Sequence, residues 1–235
     1  MSRTGSLLLF QGFLLKNPEI FVIWGSAGHA LVLADMLGSR GISIAALFDN
    51  NPLAESVVPG VDIYHGKTGF SQWLGLQNNR EEIGAAIAIG GDKGRDRMEL
   101  LRLFKRSGLQ IPSLIHPTAF VSSSAQYGEG CHVLANAVVA AGAVVGNAVV
   151  INNSVNIDHE CVLGDGVHIA PNATLCGCVK VSDHALVGAG AVVLPRIKIG
   201  EGAIIGAGSV VTKDIPECAV VAGNPAQIIK SAYQK

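Results

Sequence analysis

Residues 139–175 read VAAGAVVGNAVVINNSVNIDHECVLGDGVHIAPNATL. Every sixth residue is aliphatic: Val139, Val145, Ile151, Ile157, Leu163, Ile169 and Leu175. The series extends without an insertion from Val121 and Val133 at one end to Val181, Val187, Val193, Ile199, Ile205 and Val211 at the other, with Tyr127 the single exception. Two places before the aliphatic residue stands a small one, as at Ala119, Ala137, Cys161, Ala173 and Ala203. Glycine commonly follows it, as at Gly128, Gly146, Gly164, Gly188, Gly200 and Gly206. A six-residue period cannot keep one face of a 3.6-residue helix apolar. It is the period of a β-helix, in which each hexad supplies a short strand and a turn. Three hexads, 18 residues, close one triangular coil.

The expectation is therefore a left-handed parallel β-helix over residues 113–211. Its inward aliphatic side chains stack at the interstrand spacing of about 4.8 Å. Small residues fill the corners, and glycines supply turn dihedrals. The stack is cooperative and needs closing, because no hexad buries its own apolar face. Residues 212–235 read as the closing piece, with Pro216, Gly223 and Pro225 marking turns and AQIIKSAY as a short terminal helix.

Composition agrees with this frame. Aromatics make up 5% of the 235 residues, while glycines number 29. With a net charge of -1, nothing suggests wrapping of nucleic acid, and no nucleic-acid partner is expected. Residues 133–157 carry no charge, yet five asparagines and a β-branched bias set them apart from a membrane span. No stable membrane insertion is expected. The apolar start, SLLLFQGFLL after Arg3, has no cleavage-site pattern behind it. Residues 1–19 read as a loosely packed extension or an upstream start. The odd set of five cysteines, none in a disulfide-scaffold pattern, points to a reduced, cytoplasmic chain.

Residues 20–112 follow a different rule. EIFVIW, ISIAALF and GAAIAIG read as buried strands, and residues 28–39 and RDRMELLRLFKRSG as helices. Such alternation implies a small parallel sheet of Rossmann-like type. The turn GSAGH is not a full dinucleotide fingerprint, because G-x-G-x-x-G wants glycine at 27, where Ala27 stands. A strand–turn–helix junction still aims backbone N–H groups at a phosphate, and Asp49 at the end of the second strand suits a ribose or base.

Among the β-helix histidines, His159 stands out because Asp158 and Glu160 flank it. A carboxylate beside an imidazole fixes its tautomer and raises its basicity. His132, His168 and His184 fall at phases that do not converge with it, and no zinc-type spacing is present, so no metal is expected. Cys161 occupies a packing corner filled elsewhere by alanine.

The pieces WGSAGHALVLADML, LFDNN, IAIGGDKGR, IHPTAFV, NSVNIDHECVLGDGVHIAPNATLCG, VGAGAVVLPRIKIGEGAIIGAGSVVTKDIP and VAGNPAQ together resemble the sialic acid O-acetyltransferase and bacillosamine-pathway sugar acetyltransferases. The resemblance covers about residues 20–230. It implies a trimeric left-handed β-helix acyltransferase with an N-terminal nucleotide-sugar domain and acetyl-CoA as co-substrate. It further implies His159 as general base with Glu160 as its partner. His168 and Gly177 would lie at the acetyl end of coenzyme A, with Ala189 and Ala207 along its groove. Ala27, Gly28, His29, Asp49, Asn50, Gly90 and Asn152 would take the acceptor. The acceptor implied is the amine of a nucleotide-linked amino sugar. The alternatives are O-acetylation of sialic acid or a related sugar, and a non-catalytic scaffold or carbonic-anhydrase-like protein. The last would need three zinc histidines.

Overall fold

The computed structural model describes residues 18–231. The expected extension, residues 1–19, falls almost wholly outside that range.

The described residues begin with a four-stranded parallel sheet: β1 (Ile20–Trp24), β2 (Ser43–Asp49), β3 (Ile63–His65) and β4 (Ile83–Ile87), in the order β3-β2-β1-β4. Helices α1 (Gly28–Gly38), α2 (Gly66–Gly75) and α3 (Gly94–Arg106) connect or follow them. β4 is buried along its whole length, as expected of a strand covered on both faces. Trp24, Phe48, Phe70, Trp73 and Phe104 pack as one aromatic cluster between sheet and helices. β3 and α2 had no counterpart in the sequence reading. Gly66, Gly69 and Gly75 depress the helix propensity of α2, which tertiary packing of Phe70 and Trp73 overrides.

From Leu114 to Val211 the chain is a left-handed parallel β-helix of two-residue strands. Strands repeat on each of three faces at 18-residue spacing, as in Val144↔Val162, His132↔Val150 and Asn156↔Thr174. The inward residues Val133, Val139, Val145, Ile151, Ile157 and Leu163 and their successors form one continuous buried column with the small corner residues. Full burial of each aliphatic side chain contributes about 1.5–3 kcal/mol.

The turn glycines play a different part from the one expected. The left-handed residue of each hexad is the third before the inward one. From Gly130 through Asn136, Gly142, Ala148, Ser154 and Glu160 to Gly208, every sixth residue has φ between 51° and 69°. The glycines that follow the inward residue do not. They are required by close approach: a Cβ on Gly164 would lie 2.7 Å from the Asp183 backbone nitrogen, and one on Gly188 2.6 Å from that of Ala207.

The six-residue period ends at Val211, but the stack continues. Ile215 bridges to Ile199, and Ala219–Gly223 pairs in parallel with Ile204–Ile205. The expected terminal helix is instead a strand, Ala226–Ser231, antiparallel to Ala219–Gly223. The open edge of the last parallel strand offers unpaired N–H and C=O groups that an extended chain satisfies and a helix does not.

The first domain docks on one face and one edge of the prism. That face carries His132, Val150 and His168 outward. Its neighbouring edge carries the 18-residue polar ladder Glu129, Asn147, Asp165, Asp183, in which each side-chain oxygen from Asn147 on accepts the backbone N–H of the residue one coil before it.

Candidate active site

The corner between the other two faces carries His159. Its strand ends at Ile157, and Glu160 takes the left-handed turn position with φ 56°. Asp158 accepts the His159 backbone N–H at 2.7 Å. Glu160 Oε2 lies 3.1 Å from His159 Nδ1, which leaves Nε2 as the free nitrogen. One coil further, Gly177 lies against that nitrogen: a Cβ there would sit 2.4 Å from Nε2. The coils are pinned to each other by the Cys178 N–H donating to the His159 carbonyl at 2.9 Å. Among the described residues nothing accepts from the Gly177 N–H. Both members of the His159–Glu160 pair are exposed. The corner thus presents a carboxylate-oriented imidazole beside an unpaired backbone donor, a pairing suited to proton abstraction next to a developing oxyanion.

His168 is elsewhere. It is buried on the docking face, where its Nδ1 accepts the Gly91 N–H at 2.7 Å and its Nε2 lies 3.5 Å from Asn152 Nδ2. Gly90 packs beside it, 3.5 Å from a would-be Cβ to the imidazole Cε1. His29 also turns onto this face, its Nε2 3.0 Å from His132 Nδ1. His132 and His168 stand two coils apart on this face, either side of Val150, and His29 arrives with the first domain to meet His132. Burial first, then the nearby Arg97 guanidinium, pushes His29 and His168 down to about 4. Burial holds His132 well below the usual imidazole range. All three are neutral at pH 7.

Arg97 was missed entirely. It shares the face of α3 that buries Leu100, Leu101 and Phe104, and it is 1% exposed. It donates from Nε to Ala148 O at 3.1 Å, from Nη1 to Ile89 O at 3.1 Å and Gly91 O at 3.3 Å, and from Nη2 to the carbonyl of Gly166. One guanidinium therefore joins the loop after β4 to two coils of the β-helix. Burial lowers its pKa to about 10, still charged at neutral pH.

At the end of β1, Ala27 and Gly28 are exposed at the free N-terminus of α1. Asp49 accepts the Ser26 N–H at 2.8 Å and the Asn51 N–H at 2.9 Å. Its carboxylate thus braces the turn, and Asn50 stands exposed beside it. Ala189 and Ala207 are exposed and stacked on the third corner, where the Gly208 N–H donates to the Ala189 carbonyl at 2.8 Å.

The residues therefore fall into separate groups within one chain. His159, Glu160 and Gly177 share one corner. His29, Gly90, Asn152 and His168 gather beneath the first domain, on the face opposite that corner. A further constellation lies outside the sequence reading: His159, Glu160 and Cys178 offer three ligand atoms all within 4.8 Å of one another.

This fold and corner define a class, the left-handed β-helix acyltransferases. The sequence matches the PglD N-terminal domain over residues 21–99 and the bacterial transferase hexapeptide (six repeats) over residues 178–213. It is 36% identical over 185 residues to a 2,3,4,5-tetrahydropyridine-2,6-dicarboxylate N-acetyltransferase of Halalkalibacterium halodurans, covering 73% of this chain and 75% of that one. The crystal structure of PerB from Caulobacter crescentus, in complex with CoA and GDP-perosamine, is similar at a TM-score of 0.78 and 34% identity, over 89% of this chain and 97% of that one. The acetyltransferase domain of PglB from Neisseria gonorrhoeae, in complex with acetyl coenzyme A, gives 0.80 and 30%, over 91% and 100%. The chain belongs to the hexapeptide-repeat sugar acetyltransferases of the bacillosamine and perosamine type. It is an acetyl-transferring enzyme.

Proposed function

We propose that this enzyme moves the acetyl group of acetyl-CoA to the amine of a nucleotide-linked amino sugar, with His159 as general base. The observation that carries the reading is the corner itself: Glu160 on Nδ1, Nε2 free, and the Gly177 amide beside it. In this mechanism Nε2 takes the proton of the acceptor amine as it attacks the thioester carbonyl. Glu160 stabilises the imidazolium, and the Gly177 N–H donates to the oxyanion. Coenzyme A leaves as the thiolate, and no acyl-enzyme is formed. His168, neutral and oriented by Gly91, lies at the acetyl end of the donor, and Ala189 and Ala207 line the pantetheine groove.

The acceptor is held by the first domain. The free N-terminus of α1 at Ala27 and Gly28 takes its diphosphate. Asp49 and Asn50 face its nucleoside, and His29, Gly90 and Asn152 border the sugar. GDP-perosamine bound to PerB supports a nucleotide handle on the acceptor.

The distribution of residues supports a homotrimer with its active sites between chains. The first domain covers the face opposite the His159 corner, so the acceptor held by one chain meets the imidazole of the next. Closed cyclic symmetry supplies that contact three times over.

The test is acetyl-CoA turnover, followed as product formation, against UDP-, GDP- and dTDP-amino sugars, free and CMP-linked sialic acids, and tetrahydropyridine dicarboxylate. A nucleotide amino sugar is expected to be the best acceptor by kcat/KM. Preference for the sialic acids or the dicarboxylate would overturn the acceptor assignment. A monomer of full activity would overturn the trimer.

A further inference from the structure

We propose that the His159–Glu160–Cys178 corner is an inhibitory site for a thiophilic divalent cation such as Zn2+. The inhibitory part rests on His159 acting as base; the binding part does not. Glu160 Oε2 lies 3.1 Å from His159 Nδ1 and 3.7 Å from Cys178 Sγ, and all three ligand atoms fall within 4.8 Å of one another. Tetrahedral zinc with Zn–N near 2.0–2.1 Å and Zn–S near 2.3 Å sets its ligands roughly 3.3–3.8 Å apart. Small rotamer changes bring this corner to that spacing.

The site is preorganised by the stack. Glu160 and Cys178 occupy the same left-handed turn position on successive coils, with φ 56° and 62°. The bond from Cys178 N–H to the His159 carbonyl fixes the register between them. The set also mixes the donors that zinc prefers over magnesium or calcium: an imidazole nitrogen, a thiolate and one carboxylate oxygen. The fourth position stays open to water.

Inhibition follows from the tautomer. A neutral imidazole carries one N–H. Binding of the cation through Nδ1 places that proton on Nε2, which then has no lone pair for the acceptor's proton. Glu160 is withdrawn from the imidazole at the same time. The thiol of Cys178 gives up its proton to buffer as the S–metal bond forms, so binding strengthens with rising pH.

The experiment titrates the full-length protein with Cd2+, read by the ultraviolet thiolate-to-cadmium charge-transfer band, and separately measures transfer against Zn2+. One equivalent per chain is expected to produce the band, and zinc to inhibit in the same range. Cys178→Ser is expected to abolish the band and to raise the half-inhibitory zinc concentration by more than the roughly 10–100-fold typical of losing an outer-shell partner. Its metal-free turnover stays near that of the parent. Absence of the band in the parent, its persistence in Cys178→Ser, or equal zinc sensitivity of the two proteins overturns the proposal. Near-normal turnover in His159→Ala, with the cadmium band of the parent intact, overturns the base assignment and its inhibitory consequence while leaving the cation site standing.

Discussion

His159 and Gly177 show how much one side chain decides. With Glu160 on Nδ1, the imidazole has a single nitrogen for chemistry, and the glycine beneath it leaves no room for a methyl group. Replacing His159 with Ala is expected to lower kcat by roughly 10²–10⁴ while the melting temperature stays near that of the parent. Gly177→Ala is a sharper test of geometry. Its Cβ would lie 2.4 Å from Nε2, so the ring must move. A misplacement on that scale is expected to cost about 10²-fold in turnover. Steady-state kinetics paired with thermal denaturation separates both effects from misfolding. Gly177→Ala with unchanged kcat would show that Nε2 is not the reacting nitrogen.

At the scale of the turn, two kinds of glycine share one hexad for different physical reasons. Gly190 has φ 66° and open space around its would-be Cβ, and Asn136 and Asn172 fill the equivalent slot in other coils. Gly190→Asn is expected to change stability by no more than about 0.5 kcal/mol, because asparagine tolerates the left-handed region and this position is exposed. Gly188 instead abuts the next coil, with the Ile205 carbonyl and the Ala207 nitrogen each 2.6 Å from a would-be Cβ. Gly188→Ala is expected to cost about 1–3 kcal/mol, since backbone on both sides must shift. Chemical denaturation of the two variants side by side reads the difference. Equal effects would mean that glycine serves one purpose in both places.

At the scale of the whole molecule, the junction between domains is a buried polar cluster. Arg97 is satisfied by four backbone carbonyls, and three neutral histidines lie within reach of its charge. An unfolded histidine titrates near 6.5, whereas His29 and His168 titrate near 4 when folded. Between those values the unfolded chain binds protons that the folded chain refuses, so stability falls as pH drops from 6.5 toward 4. Above 6.5 these groups contribute no pH dependence. The melting temperature is expected to decline steadily from pH 6.5 to 4.5, less steeply in His168→Asn. A flat profile would place these imidazoles in contact with solvent.

The assembly makes a second prediction at this scale. Co-expression of His159→Ala chains with chains disabled at Asp49 is expected to restore activity that neither has alone. About a quarter of the sites in randomly mixed trimers would pair an intact imidazole with an intact first domain. No recovery in mixed trimers of confirmed composition would mean that each site is complete within one chain.

Sequence alone determined the β-helix and the His159 corner, because in a one-dimensional stack every neighbour lies at a fixed separation. Counting 18 residues from Val144 finds Val162, and counting 18 from His159 finds Gly177. The same count from Glu160 reaches Cys178, a signal that was present but unread. Strand–helix alternation likewise revealed the parallel sheet, while α2, poor in helix formers, needed the packing of Phe70 and Trp73 to exist. Only the tertiary structure decided what lies between the domains. His29 and His132 are 103 residues apart and meet at 3.0 Å. No period links them, and burial turned Arg97 from an ordinary helix charge into the tie between loop and coils. It also decided why each glycine is there: clearance from the next coil in some turns and backbone handedness in others, two constraints that the same letter in the sequence cannot distinguish.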